Sequence, residues 1–181
     1  MAAEVRNSQL IANALATPPI MAPVGASHGK LRTKICRVAL AAAGEAGDLH
    51  RICKLQAHDH LIDVEWMGTA NAAMDDNDLG IFTPGTDLTT LPTEAATGQH
   101  DTLAVGYDMS AGSATWAKLF GQGIAVGLFA QLMGLPLWQM CAIATEPVVG
   151  TEYELVLTAN GIVTDELDYY VYRVTYVGRG D

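Results

Sequence analysis

The chain has 181 residues with 10 basic and 20 acidic side chains, a formal charge of −10, and half of its residues are apolar while only 17% are charged. That length suits one ordinary domain with or without an arm, so two large domains are excluded, and the apolar content excludes disorder throughout. The acidic balance repels phosphate backbones and anionic headgroups, so neither nucleic acid nor a membrane is expected as a direct partner.

Residues 1–29 read as an N-terminal arm. Ser8 can cap a short helix that Thr17, Pro18 and Pro19 stop, and beyond it Pro23, Gly25 and Gly29 keep the chain extended. Leu10, Ile11, Leu15, Ile20 and Met21 are too apolar for a solvated tail, which makes them the candidate partner-binding residues. Either a neighbouring subunit or the chain's own core must cover them. The apolar "LIANALA" within this arm is too short for a signal peptide and is interrupted by Asn13.

From Leu31 the pattern changes to short runs of period two. "LRTKICRVAL" predicts a strand with Cys36, Val38 and Leu40 on one face, "LHRICKL" a second, and "LIDVEWM" a third in which Ile62, Val64 and Trp66 oppose Asp63 and Glu65. A polar turn, "DDND", precedes the short run "LGIF". Residues 83–117 read as a loop insertion rich in Thr, Gly, Pro and Asp, with one short strand around Leu103 to Tyr107.

Leu119 to Thr145 carries no charge, yet Gln122, Gln131, Gln139, four glycines and Pro136 argue against a bilayer span, and residues 118–145 are expected as buried helical turns. Two further strands follow. In "YELVLTA" Tyr153, Leu155 and Leu157 oppose Glu154 and Thr158; in "YYVYRVTYV" Tyr170, Tyr172, Val174 and Tyr176 oppose Arg173 and Thr175. Short strands without regular helices between them predict a mainly β fold, an antiparallel β-sandwich over residues 30–181 with a short helical segment.

No motif specifies chemistry. His58 and His60 would share one face of a strand about 7 Å apart, but a third metal ligand is missing nearby, and a solvated turn is the simpler reading. Asp75-Asp76-Asn77-Asp78 fails as a calcium loop, because the fifth position is Leu79 and the twelfth Thr86; Asx side chains bonding the local backbone explain it better. Gly121-Gln122-Gly123 has the wrong interval for a dinucleotide fingerprint, and Ala111-Gly112-Ser113-Ala114 lacks the second glycine of a nucleophile elbow. The C-terminal tyrosine stripe could stack sugars or bases, or form core or subunit interface. Cys36, Cys53 and Cys141 fit neither a disulfide framework nor a zinc knuckle, which points to assembly in a reducing cytosol. No catalytic residue, metal or cofactor is assigned.

Read in order, "SQLIANALATPP", "GKLRTKICRVALAAA", "RICKLQAHDHLIDVEWMGTANAAMDDNDLGIF", "LPLWQMCAIATEP", "EYELVLTANG" and "YYVYRVTYV" resemble tailed-bacteriophage capsid decoration, or cement, proteins. The resemblance implies a jelly-roll-like sandwich, often a homotrimer, on the outer surface of a phage head, where it bridges neighbouring major capsid subunits without any chemistry. It implies a virion component assembled in the host cytoplasm. A head-tail or tail-surface component and a host-surface or glycan-binding module stay open as alternatives.

Overall fold

The computed structural model describes residues 30–39, 47–72, 74–84, 93–94, 101–160 and 169–178. Two antiparallel four-stranded sheets face each other. One runs β1 (Lys30–Ala39), β8 (Tyr169–Gly178), β3 (His60–Gly68), β6 (Ser113–Lys118) across its width. The other runs β2 (Asp48–Gln56), β7 (Glu152–Ala159), β4 (Asn77–Thr83), β5 (Thr93–Glu94). This is the mainly β antiparallel sandwich that the alternating runs predict. The pairs β1 with β8, β2 with β7, β3 with β6 and β4 with β5 are those of one long hairpin doubled back and rolled into two layers.

β8 shows most directly why the layers hold. Tyr170, Tyr172, Val174 and Tyr176 are buried, while Val171, Arg173, Thr175 and Val177 between them stay half-exposed. Trp66 lies 5.5 Å from the Tyr170 ring and meets Tyr107 edge-on at 6.4 Å. Leu55, Leu79, Ile81, Leu155 and Leu157 close the core from the second sheet, each such side chain contributing about 1.5–3 kcal/mol on leaving water. The tyrosine stripe is therefore core, not a stacking platform.

Some buried polar atoms of the core, among them Trp66 Nε1 and the Tyr172 hydroxyl, are out of balance. The Tyr172 hydroxyl is buried with no hydrogen-bond partner among the described residues, and burial together with neighbouring Tyr170 pushes its pKa far up. Tyr172→Phe removes an unsatisfied polar atom and keeps the ring. It is expected to hold or raise stability, by up to about 1 kcal/mol in urea denaturation; a loss larger than that would mean the hydroxyl has a partner.

Three expectations need correction. In β3 the pairing with β8 skips a position between Leu61 and Asp63, so Leu61, Val64 and Trp66 share the core face and Ile62 is pushed out to 38% exposure. A bulge adds one residue and reverses the phase of everything before it. In β7 every residue from Tyr153 to Ala159 is buried, Glu154 and Thr158 included, because this central strand is covered on both faces; Glu154 accepts a hydrogen bond from Arg51 Nε at 2.9 Å. Finally, the expected insertion over 83–117 contains β6, an edge strand none of whose residues is fully buried, so that it gives no clear alternation.

The stretch 119–145 holds α1 (Val126–Leu132) and α2 (Leu137–Met140). α2 buries Leu137 and Met140, and Leu137 N and Trp138 N donate to the carbonyls of Asp59 and Ala57. α1 is not buried as expected. It docks through Leu132 and through Phe129, which packs edge-on to Phe120 at 5.0 Å, and a seven-residue helix has only one such stripe to bury. Among the described residues, no helix is long and apolar enough to cross a membrane.

Candidate interaction surface

The polar clusters of the sequence are used for building. His58 and Asp59 are buried, not solvated: His58 Nε2 meets Glu146 Oε1 at 3.0 Å, and Asp59 Oδ2 accepts from Gln56 N. His60 Nδ1 instead meets the Gly134 carbonyl at 2.9 Å, so the two imidazoles are held by different partners. The acidic cluster likewise bonds over long range as well as locally. Asn77, fully buried, donates from Nδ2 to the carbonyls of Met74 and Tyr107, both at 2.9 Å. Asp78 accepts from Gly106 N at 2.8 Å and from Asn160 Nδ2 at 3.0 Å. Asp78 thus clamps the start of β4 to the 101–112 segment and to the end of β7. Leu103 and Ala104 pair irregularly with Leu79, and Tyr107 with Asn77, where the sequence predicts a short strand.

What this architecture leaves uncovered is more informative. The outward positions of β1 carry Leu31 and Ile35, 67% and 69% exposed. Beside them stand the ion pair of Arg173 with Glu65, the Arg173 guanidinium 4.6 Å from the Trp116 ring centroid, and Arg37 over the Tyr169 ring at 3.5 Å. β1 also concentrates positive charge: Lys30, Arg32, Lys34 and Arg37 lie on this one edge strand of an acidic chain. Arg32 and Lys34, with Lys54, His58, Glu152 and Tyr176, line a cleft of about 570 Å³ at one end of the sandwich.

A second apolar region surrounds α1. Val126, Leu128 and Met133 are 84%, 53% and 41% exposed, and Val105 and Leu128 border a hollow of about 460 Å³. Val148 and Val149, in the loop before β7, are also largely in water. Apolar surface in patches of this kind is characteristic of contact sites. The sequence offers one sign of the first patch: Leu31 and Ile35 sit on the face opposite Cys36 and Val38, so an edge strand apolar on both faces needs a cover from elsewhere. Leu10, Ile11, Leu15, Ile20 and Met21, the expected partner-binding residues, lie outside the described residues. Among the described residues no three His, Cys, Asp or Glu side chains gather in a group that could hold a metal.

No protein-family model matches the chain, and no curated protein matches its sequence. Its structure is similar to a chain of the Ralstonia phage GP4 capsid, with a TM-score of 0.56 at 12% identity, over 89% of this chain and 92% of that one. It is also similar to a chain of the cyanophage Pam1 capsid asymmetric unit, with a TM-score of 0.51 at 15% identity, over 96% of this chain and 97% of that one. At such identities the likeness is one of fold. It spans nearly the whole of both partners, so chains of this size share the whole arrangement and not a common sub-motif.

Proposed function

We propose that the protein is a non-enzymatic component of a phage virion that binds the outer surface of the head and cements neighbouring major capsid subunits. The observation that carries this reading is the end-to-end likeness in fold to chains found in two phage capsids. The ordered sequence blocks that resemble decoration proteins, the rolled-hairpin pairing that suits a jelly roll, and the uncovered apolar patches on β1 and α1 support it.

A cement protein acts by mass action. It binds the assembled lattice better than separated subunits, and at a free concentration a hundred times its Kd each occupied site adds about 2.7 kcal/mol against disassembly. A homotrimer multiplies weak contacts through effective concentration. The Leu10 to Met21 arm supplies intersubunit contacts in this scheme.

The test adds purified protein to heads that lack it and counts bound copies by electron microscopy. A saturable number set by shell symmetry, on the outside, with heads that survive higher temperature, is the expected result. A few copies at one vertex would move the protein to the head-tail junction, and glycan binding without head affinity would end the reading. Deleting residues 1–29 is expected to weaken head binding at least about tenfold, a loss of roughly 1.4 kcal/mol, with the sandwich's thermal transition retained. Unchanged affinity would refute the arm's role.

A further inference from the structure

The mechanism proposed above uses no cysteine, yet two of the three meet. Cys36, on β1, and Cys53, on β2, belong to edge strands of opposite sheets that come into contact here: the Lys34 ammonium reaches across to the carbonyl of Lys54, both cysteines pack against the one core, and each thiol is the other's side-chain hydrogen-bonding neighbour. Facing sheets usually lie about 10 Å apart, too far for two short side chains to touch. Contact here means that the layers converge at this edge. Both cysteines are free and only half-buried, whereas Cys141 is fully buried elsewhere in the core.

From this juxtaposition we infer that Cys36 and Cys53 form a redox site, reduced on folding and converted to an inter-sheet disulfide by a small-molecule disulfide such as oxidised glutathione. The electrostatics suit the order of events. The hydrogen bond from Cys53 and the nearby Lys34 ammonium favour a Cys36 thiolate against the opposing effect of burial, while that same hydrogen bond, burial and the Glu154 carboxylate hold the Cys53 proton on. The Cys36 thiolate attacks one glutathione sulfur, forming a mixed disulfide and expelling one glutathione thiolate, which takes up a proton. Cys53 then loses its proton and attacks the Cys36 sulfur, forming the Cys36–Cys53 bond and expelling the second glutathione. Two protein thiols are oxidised and one glutathione disulfide is reduced to two thiols. Closure requires the two sulfurs to reach a bond of about 2.05 Å, which the convergence of β1 and β2 at this edge favours.

The test uses the whole wild-type chain, so it does not depend on a variant folding. Native protein is incubated with oxidised glutathione, then denatured and alkylated with N-ethylmaleimide, and digested with trypsin. Alkyl groups per chain are expected to fall from three to one, with the tryptic peptides Ile35–Arg37 and Ile52–Lys54 joined and released again by reductant. Three alkyl groups, a link that includes Cys141, or glutathione remaining separately on Cys36 and Cys53 would each overturn the assignment. As a second check, Cys141→Ser keeps the link and Cys53→Ser replaces it with one stable glutathione adduct on Cys36; a link surviving in Cys53→Ser would also overturn it.

Discussion

Replacing Gly123 with alanine is expected to cost about 4 kcal/mol or more, among the largest effects of any single methyl group in this protein. Gly123 has φ +71°, in the left-handed region, and a Cβ there would stand 1.9 Å from the Val105 carbonyl oxygen. The obstacle is backbone. Val105 N donates to Gln122 O at 3.0 Å and Gly121 N to Leu103 O at 2.7 Å, so neither segment yields without breaking its bond to the other. Gly134 is the control: its φ is +82°, but a Cβ there meets nothing within 4 Å. Gly134→Ala should therefore lose only the conformational part, about 1–2 kcal/mol. Urea denaturation of the two variants separates the contributions, and equal losses would show that the 101–107 segment moves aside at no cost.

Asp78→Ala is expected to cost about 3 kcal/mol, since it removes a nearly buried carboxylate that accepts from Gly106 N and Asn160 Nδ2. The loss strands a backbone N–H as well as an amide. Asp78→Asn keeps an acceptor for Gly106, and a turned Asn160 amide can offer its oxygen to the new NH2 group. That variant should lose about half as much or less. The ratio of the two, read from thermal or urea unfolding, tests the clamp against simple loss of packing; equal losses would count against hydrogen bonding as the cause.

What the sequence reveals of this fold is set by how many faces of a strand are wet. Strands with one wet and one dry face were readable, and β8 keeps its Tyr170, Tyr172, Val174, Tyr176 alternation without exception. Period two says nothing where both faces are covered, as in β7, or where neither is fully buried, as in β6. The extra residue at Ile62 is invisible for a related reason: Leu61 and Ile62 are equally apolar, and only the pairing with β8 decides which turns inward. Charge near the acidic cluster suggested local turns because sequence distance hides Asn160 from Asp78. The meeting of Cys36 with Cys53 depends on how two sheets converge, which no spacing encodes. For the interaction surface, the exposure of α1 is not legible, because an uncharged stretch looks the same whether a partner or the chain itself covers it.

The rolled pairing also bears on how the chain is made. Each sheet is held together by a strand from the C-terminal part: β8 lies between β1 and β3, and β7 between β2 and β4. Until translation has passed Gly178, β1 and β3 have no common neighbour and the first layer cannot form. The nascent polypeptide must therefore hold its early hydrophobic runs open on the ribosome while distant segments are synthesised, a high contact-order route that is slow and prone to aggregation. Fragments that stop before residue 169 are expected to be insoluble on expression, and soluble, folded fragments would count against that order of assembly.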